Sequence, residues 1–414
     1  MIASLDQATG SQRRSWRYLL LYALAYGGGV IAYVPLLSLL LPLKVEEIAM
    51  ADKVALLSLT TLAGAVAASV TNILAGMLSD RSVARGKGRR GWVLGGMVAT
   101  LVSFVGLRLC DSPASLVLAI IVFQVALNVM LGPLVAIAAD EVPDDQKGVM
   151  GGLLGSAYPL GSIAAILITA TPGLTETTQL MVVGALVSAG LLPFLILLRP
   201  MRVSEGAIVA LSAPQPRAVG RRNLALVWAA RLLVQMAGII LFAFFLFYFE
   251  SVDHSGAVSD TRKLAGRIAW LSGLVTVLTV PLSILIGRAS DRIGKRKPFL
   301  IWTAGIAVLG LVIMAAFPRW TPAATGYVMF SCASGVFLAL QAAYAMQLLP
   351  APGHRGRDLG ILNLANTGPA ILGPTLTFAV VTAYGFGPLI LTLAALTAAA
   401  GGLTLLVRDD AKSA

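Results

Sequence analysis

Apolar runs of twenty or more residues recur along the whole chain, separated by short connections that hold most of its charge. A run of that length crosses a ~30 Å hydrocarbon layer as a helix rising 1.5 Å per residue. A membrane barrel would instead show alternating stretches of about ten residues, and the sequence has none. The chain is therefore expected to fold as an all-α polytopic membrane protein. Composition agrees: 12% of residues are charged, about half the share of a soluble domain. The net charge of +12 does not point to nucleic acid, because the basic residues lie between apolar runs and not on a hydrophilic domain.

Twelve spans are expected, at about 17–43, 53–78, 92–109, 114–139, 148–172, 179–198, 223–250, 264–287, 298–317, 323–349, 358–384 and 386–407. The first follows Arg13, Arg14 and Arg17 and is too long for a signal-peptide core. Several spans exceed the minimum length, so tilt is expected. Pro35, Pro133, Pro159, Pro281, Pro369 and Pro374 are the expected bend points. Cys110 and Cys332 sit in or beside apolar runs and read as inert thiols, not as a disulfide.

Charge orients the spans. With both ends on the inner side, 23 of the 31 basic residues fall in inner connections, seven in outer ones, and Arg231 inside a span. That bias gives cytoplasmic termini. The longest inner connection, 199–222, separates an N-terminal six-helix bundle (1–198) from a C-terminal one (223–414). The halves repeat weakly: "GMLSDRS" from 76 returns as "GRASDRI" from 287, and "GVMGGLLG" from 148 aligns with "RDLGILNL" from 357. Duplicated halves are typical of secondary transporters.

The stretch Gly76 to Arg81 followed by Arg89 and Arg90, with its second copy from Gly287 to Arg296, resembles the paired loop signature of the major facilitator superfamily. The resemblance covers nearly the whole chain. It implies two pseudo-symmetric six-helix bundles and transport by alternating access. The glycines allow close helix approach. Asp80 and Asp291 are acids embedded in basic loops, and the resemblance implies that each faces a helix N-terminus across the halves. The expected gating set is Gly76, Asp80, Arg81, Arg85, Arg89 and Arg90 in the first copy. In the second it is Gly287, Asp291, Arg292, Lys295 and Arg296. Asp140 and Glu141, in a stretch ending at Lys147-Gly148, join them through a likeness to the glycoside–pentoside–hexuronide and sucrose-type symporters, which the spacing of the first copy also resembles.

Polar side chains inside spans are costly and therefore informative. Tyr26 and Tyr33 share a face of span 1 with Tyr22, which is equally suited to an interfacial belt. Gln124 and Asn128 lie four apart in span 4, as do Arg231 and Gln235 in span 7. Gln341 and Tyr344 lie in span 10, Tyr158 in span 5, and Asn363 and Asn366 in span 11. Amides and phenols suit a hydroxyl-rich ligand. Paired amides also suit simple helix-to-helix bonding, and Arg231 suits either snorkelling or an anionic ligand.

These features give a bacterial inner-membrane transporter of a small solute, first of all a sugar or glycoside importer with the proton as candidate coupling ion. The alternatives are a proton-antiporting exporter of drugs or amphipathic metabolites, an organic-anion or siderophore carrier, and a non-transporting receptor on the same fold. The glycine-rich span 5 and the Gly368-Pro369 and Gly373-Pro374 pairs keep export open. The acids that sodium-coupled sugar carriers of the resembled group hold in spans 2 and 4 are missing. No enzyme activity, cofactor or metal is expected, the bilayer being the one large partner and a monomer the expected state.

Overall fold

The computed structural model describes residues 13–49, 52–170, 174–198, 217–243, 245–252, 261–349, 354–384 and 386–408. Helices account for nearly all of them, with no strand among the described residues. The first half contains α1 (Trp16–Pro35), α2 (Leu41–Ile48), α3 (Lys53–Ala84), α4 (Arg90–Arg108), α5 (Pro113–Glu141), α6 (Lys147–Gly155), α7 (Ala157–Ala170) and α8 (Glu176–Leu197). The second contains α9 (Arg217–Ala243), α10 (Phe245–Val252), α11 (Thr261–Ile293), α12 (Lys297–Ala316), α13 (Trp320–Gln347), α14 (Arg355–Tyr384) and α15 (Phe386–Leu406).

Ten helical segments are long and apolar enough to cross a membrane, among the described residues. At the other two expected spans the chain is also helical: α6 and α7 cover 147–170, and α14 covers 355–384. The twelve-span expectation is consistent with this. The expected 199–222 linker lies outside the described residues up to 216, and α9 already begins at Arg217. Pro35 ends α1 and a π turn over Leu36–Leu40 follows, in which the Ser38 hydroxyl donates to the Val34 carbonyl. That extra-wide turn follows directly on Pro35, one of the expected bend points.

Local signals set the helix ends. Ser112 and Ser115 form a reciprocal capping box at the start of α5, and Ser15 caps α1. Along α3, Leu59, Leu62, Val66, Val70 and Leu74 are all exposed. Their spacing of three and four is one helix face, and a fully apolar exposed face requires hydrocarbon as its solvent. Inside, small residues bring helices together: Gly28 meets Gly190, and Gly310 meets Gly326. Tyr22 is fully buried, its hydroxyl donating to the Leu134 carbonyl and its ring edge-on to Phe194. It is a core residue and not part of an interfacial belt.

Candidate functional site

At the basic end of the molecule the two halves interlock twice. The Asp80 carboxylate, at the end of α3, accepts from the Gly356 N–H at 2.9 Å and the Arg357 N–H at 3.0 Å. Those N–H groups open α14 of the opposite half, where a helix leaves its first donors unpaired and carries partial positive charge. The second interlock mirrors the first. Asp291 accepts from Gly148 at 2.9 Å and Val149 at 2.8 Å, in the first turn of α6. Glycine permits both approaches: a Cβ on Gly76 would overlap the Gly356 backbone, and one on Gly287 the Gly148 backbone.

The pairing corrects the repeat register. The acids are 211 residues apart, but the paired donors are Gly148 with Gly356 and Val149 with Arg357, an offset of 208 and not the 209 expected. Neighbouring contacts keep both offsets, since Gly152 packs on Ser283 and Ile284 while Gly360 packs on Asn72 and Ile73.

Around each interlock lies a buried arginine. Arg89 reaches Asp80 at 2.7 Å, Asp140 at 2.8 Å and the Ser79 hydroxyl at 2.6 Å. Arg355 of the other half meets the same Asp140 at 3.1 Å and donates to the Ala139 carbonyl. On the second side Arg296 reaches Asp291 at 2.6 Å and the Gln347 amide oxygen at 2.7 Å. Lys147 donates to the Met346 carbonyl, as Arg355 does to Ala139. Gln347 therefore stands where the first side has Asp140. The charge missing there is partly replaced by Asp144, which pairs with Lys147 at 2.7 Å and offers its carbonyl to Arg296 at 2.6 Å. Burial pulls the Lys147 ammonium below its ordinary pKa, and the Asp144 carboxylate opposes that shift.

The other expected gating residues are elsewhere. Arg81, Arg85, Arg292 and Lys295 are exposed and stand outside this network. Arg90 lies over the Phe194 ring and bonds the Leu198 carbonyl. Glu141 accepts from Tyr18 at 2.9 Å and pairs with Arg14, within the first half. These four exposed cations meet the topological need alone, because a solvated charge orients a loop without packing. Asp144, Lys147 and Gln347 were not anticipated as latch groups. Gln347 was findable, since it follows Arg296 by 51 residues, as Asp140 follows Arg89.

The asymmetry has a measurable consequence. Asp140→Asn removes a charge that two arginines share across the halves, whereas Gln347→Ala removes a neutral acceptor. Asp140→Asn is expected to shift the latch toward opening by about tenfold or more, and Gln347→Ala only a few-fold. Maleimide labelling of a Ser290→Cys probe, with Cys110 and Cys332 replaced by serine, reads this directly, because Ser290 is fully buried when the latch is closed. Equal labelling in the two variants would remove the distinction.

About two turns above the latch, at 1.5 Å per residue, a second polar group gathers in the C-terminal half. Arg231 Nε donates to the Asn366 Oδ1 at 2.8 Å, and its Nη1 to Gln341 Oε1 at 2.7 Å and the Leu338 carbonyl at 3.3 Å. Gln235 joins at Asn366 (3.1 Å), and Asn366 donates to Asn363 at 2.7 Å. Arg231 thus turns into the bundle and does not snorkel. Tyr26, on the first half, is within electrostatic reach of Arg231. Tyr33 in turn neighbours Tyr26 and Tyr158; Tyr158 is 59% exposed. Tyr344 is buried in a core cluster that includes residues of both halves.

Gln124 and Asn128 belong to a different group. Both are buried, and Asn128 accepts from Asn72 at 2.9 Å while donating to the Gln124 carbonyl. Asn72, on α3, is the partner that a search of span 2 for acids alone overlooks. These amides tie α3 to α5, a use worth ~0.6–2 kcal/mol per bond inside a membrane. Asn128→Leu is accordingly expected to lower the melting temperature by a few degrees and to leave ligand affinity within about twofold. A large loss of affinity at unchanged stability would return the pair to the binding site.

Similarity to known proteins agrees with this architecture. Residues 227–414 match the sequence model of the Major Facilitator Superfamily. The human organic anion transporter TETRAN superposes with a TM-score of 0.75 at 15% identity, over 95% of this chain and 100% of that one. The chain has the major facilitator fold. The proton:xylose symporter XylE, bound to 6-bromo-6-deoxy-D-glucose, gives 0.72 at 14% identity, over 94% and 96% of the two chains. A bacterial homologue of the iron transporter ferroportin, outward-facing with soaked iron, gives 0.69 at 17% identity, over 95% and 98%. No curated protein sequence matches significantly. At such identities the likeness concerns the fold, and three different cargoes on one fold leave the substrate to the site. The apolar helices and the major facilitator fold make this chain a multi-pass membrane protein, and members of the superfamily whose model matches residues 227–414 are transporters.

Proposed function

We propose that the chain is a bacterial inner-membrane secondary transporter, with both termini cytoplasmic, that carries a small organic anion by alternating access. The Asp80 and Asp291 interlocks form its inner gate, which is closed in the conformation described. The observation that carries the substrate class is Arg231. It is inside the bundle, its described partners are all neutral oxygens, and no carboxylate among the described residues pairs with it. A guanidinium held that way is short of one negative charge. A neutral sugar would leave that charge uncompensated, and one of the amides that favoured a sugar, Asn128, is spent on Asn72 and on the Gln124 carbonyl.

The test is ligand binding by the purified protein. Organic anions are expected to bind more tightly than their neutral counterparts. Arg231→Gln should weaken them by about 10- to 100-fold, the worth of a hydrogen bond to a charged group. Tight binding of neutral glycosides, indifferent to that substitution, would establish the sugar importer instead.

A further inference from the structure

Every Asp and Glu in the sequence lies at the end of an apolar run or in a connection, and both histidines, His254 and His354, lie between runs. Arg231 is the formal charge that stands furthest inside a run. From the ends of their spans, Asn223, Leu349 and Asp358, the three residues Arg231, Gln341 and Asn366 are each eight positions inward. The cluster is thus about 10 Å above the latch. The acid nearest to it along the chain, Asp358, is paired with Arg357 at 2.8 Å, and the latch acids Asp80 and Asp140 are engaged with Arg89.

Arg231 has spent Nε and Nη1 on neutral acceptors, while its Nη2 makes no hydrogen bond among the described residues. One negative charge satisfies it, and a second would meet no cation there. Gln235, Asn363, Asn366 and Tyr26 surround it with donors and acceptors suited to hydroxyl groups. While the site is open to one side, water can solvate the guanidinium. Alternating access must pass through a state closed to both sides, where that solvation is lost at a cost of several kcal/mol for an isolated ion. An ionised acid beside Arg231 would offset the charge in the empty carrier, but the spans supply none. A bound monoanion does so.

Resting on the anion reading above, we infer that this protein is an exchanger of hydroxylated monocarboxylates: the substrate's own charge lets Arg231 pass the occluded state, so the loaded carrier turns over and the empty one does not. No proton needs to move with the substrate, and among the described residues none of the side chains bonded in the Arg231 cluster is a carboxylate or an imidazole.

The experiment uses the full-length protein in proteoliposomes. Tryptophan fluorescence first compares gluconate, glycerate and lactate with the neutral polyol sorbitol and the dicarboxylate tartrate. At least one monocarboxylate is expected to bind about tenfold more tightly than either comparison, and Arg231→Gln to abolish that preference. Uptake of the best radiolabelled binder is then measured into vesicles loaded with the same anion and into unloaded vesicles. Loaded vesicles are expected to take it up about tenfold faster or more, with no effect of a proton ionophore. Equal rates into unloaded vesicles, or accumulation driven by a pH gradient, would overturn exchange while leaving the anion reading standing. Failure of all three monocarboxylates to bind would overturn both.

Discussion

Asp80→Asn is expected to cut transport at least tenfold while the protein still inserts and folds. The carboxylate holds two N–H donors of α14 and the buried Arg89 at once, with Asp80 and Arg89 each 4% exposed. An amide has one acceptor oxygen for these three donors, and its NH2 group faces others of its own kind. Removing one member of a buried pair leaves the partner's charge uncompensated, typically at a cost of 3–5 kcal/mol. That is enough to move a conformational equilibrium by about two to four powers of ten. The Ser290→Cys probe should become reactive from the cytoplasmic side in the same variant. Normal transport with an unreactive probe would reduce the loop to a topological anchor. Asp80→Glu is a useful partner variant: it keeps the charge, so it should recover part of the activity if charge and not bulk is what matters.

Gly148→Val should be at least as damaging by a different route. A Cβ at that position would lie 2.6 Å from Asp291 Oδ1 and 2.7 Å from Arg296 Nη1, besides overlapping the Gly287 carbonyl. None of these can retreat cheaply, because Asp291 and Arg296 are paired and the Gly287 carbonyl is helix backbone. The helices must separate, and overpacking alone costs ~1–3 kcal/mol before the lost hydrogen bonds are counted. The expected result is a carrier held open at the latch end, with Ser290→Cys labelled quickly and transport lost. Gly91→Ala is the control: a Cβ there meets nothing within 4 Å, so transport should match the wild type. Rapid transport by Gly148→Val would mean that closure does not require this contact.

The two variants separate two physical devices in the latch. Asp80 acts through charge directed at a helix N-terminus, so its effect should weaken when a carboxylate is restored. Gly148 acts through the absence of a side chain, so no charged substitution there should rescue it. The spacing of the gate and the site along the bundle also has a consequence. The Arg231 cluster stands about two turns from the latch on helices that carry latch groups, α13 with Gln347 and α14 with Arg357. A ligand that draws Gln341 and Asn366 together therefore pulls directly on the helices whose ends the latch holds.

Much of this was legible in the residues themselves. Apolar run length dictates membrane helices because an unpaired backbone cannot exist in hydrocarbon. The skew of Lys and Arg between connections orients them, and the return of Gly and Asp 211 residues later marks two equivalent latches. Those are one-dimensional signals, carried by spacing and charge along the chain. Tertiary structure alone decided what each polar group faces. Asn128 meets Asn72, 56 residues away, so a pair suited to a ligand serves helix packing. Arg231 turns toward Asn366 and Gln341, over 100 residues distant, so a side chain free to snorkel becomes a charge held inside the bundle. Arg81 and Arg89 are alike in sequence, yet one is solvated and the other buried against two carboxylates. Such choices depend on which glycines let which helices touch, and that is a property of the packed interface between the halves, not of either half read along its chain.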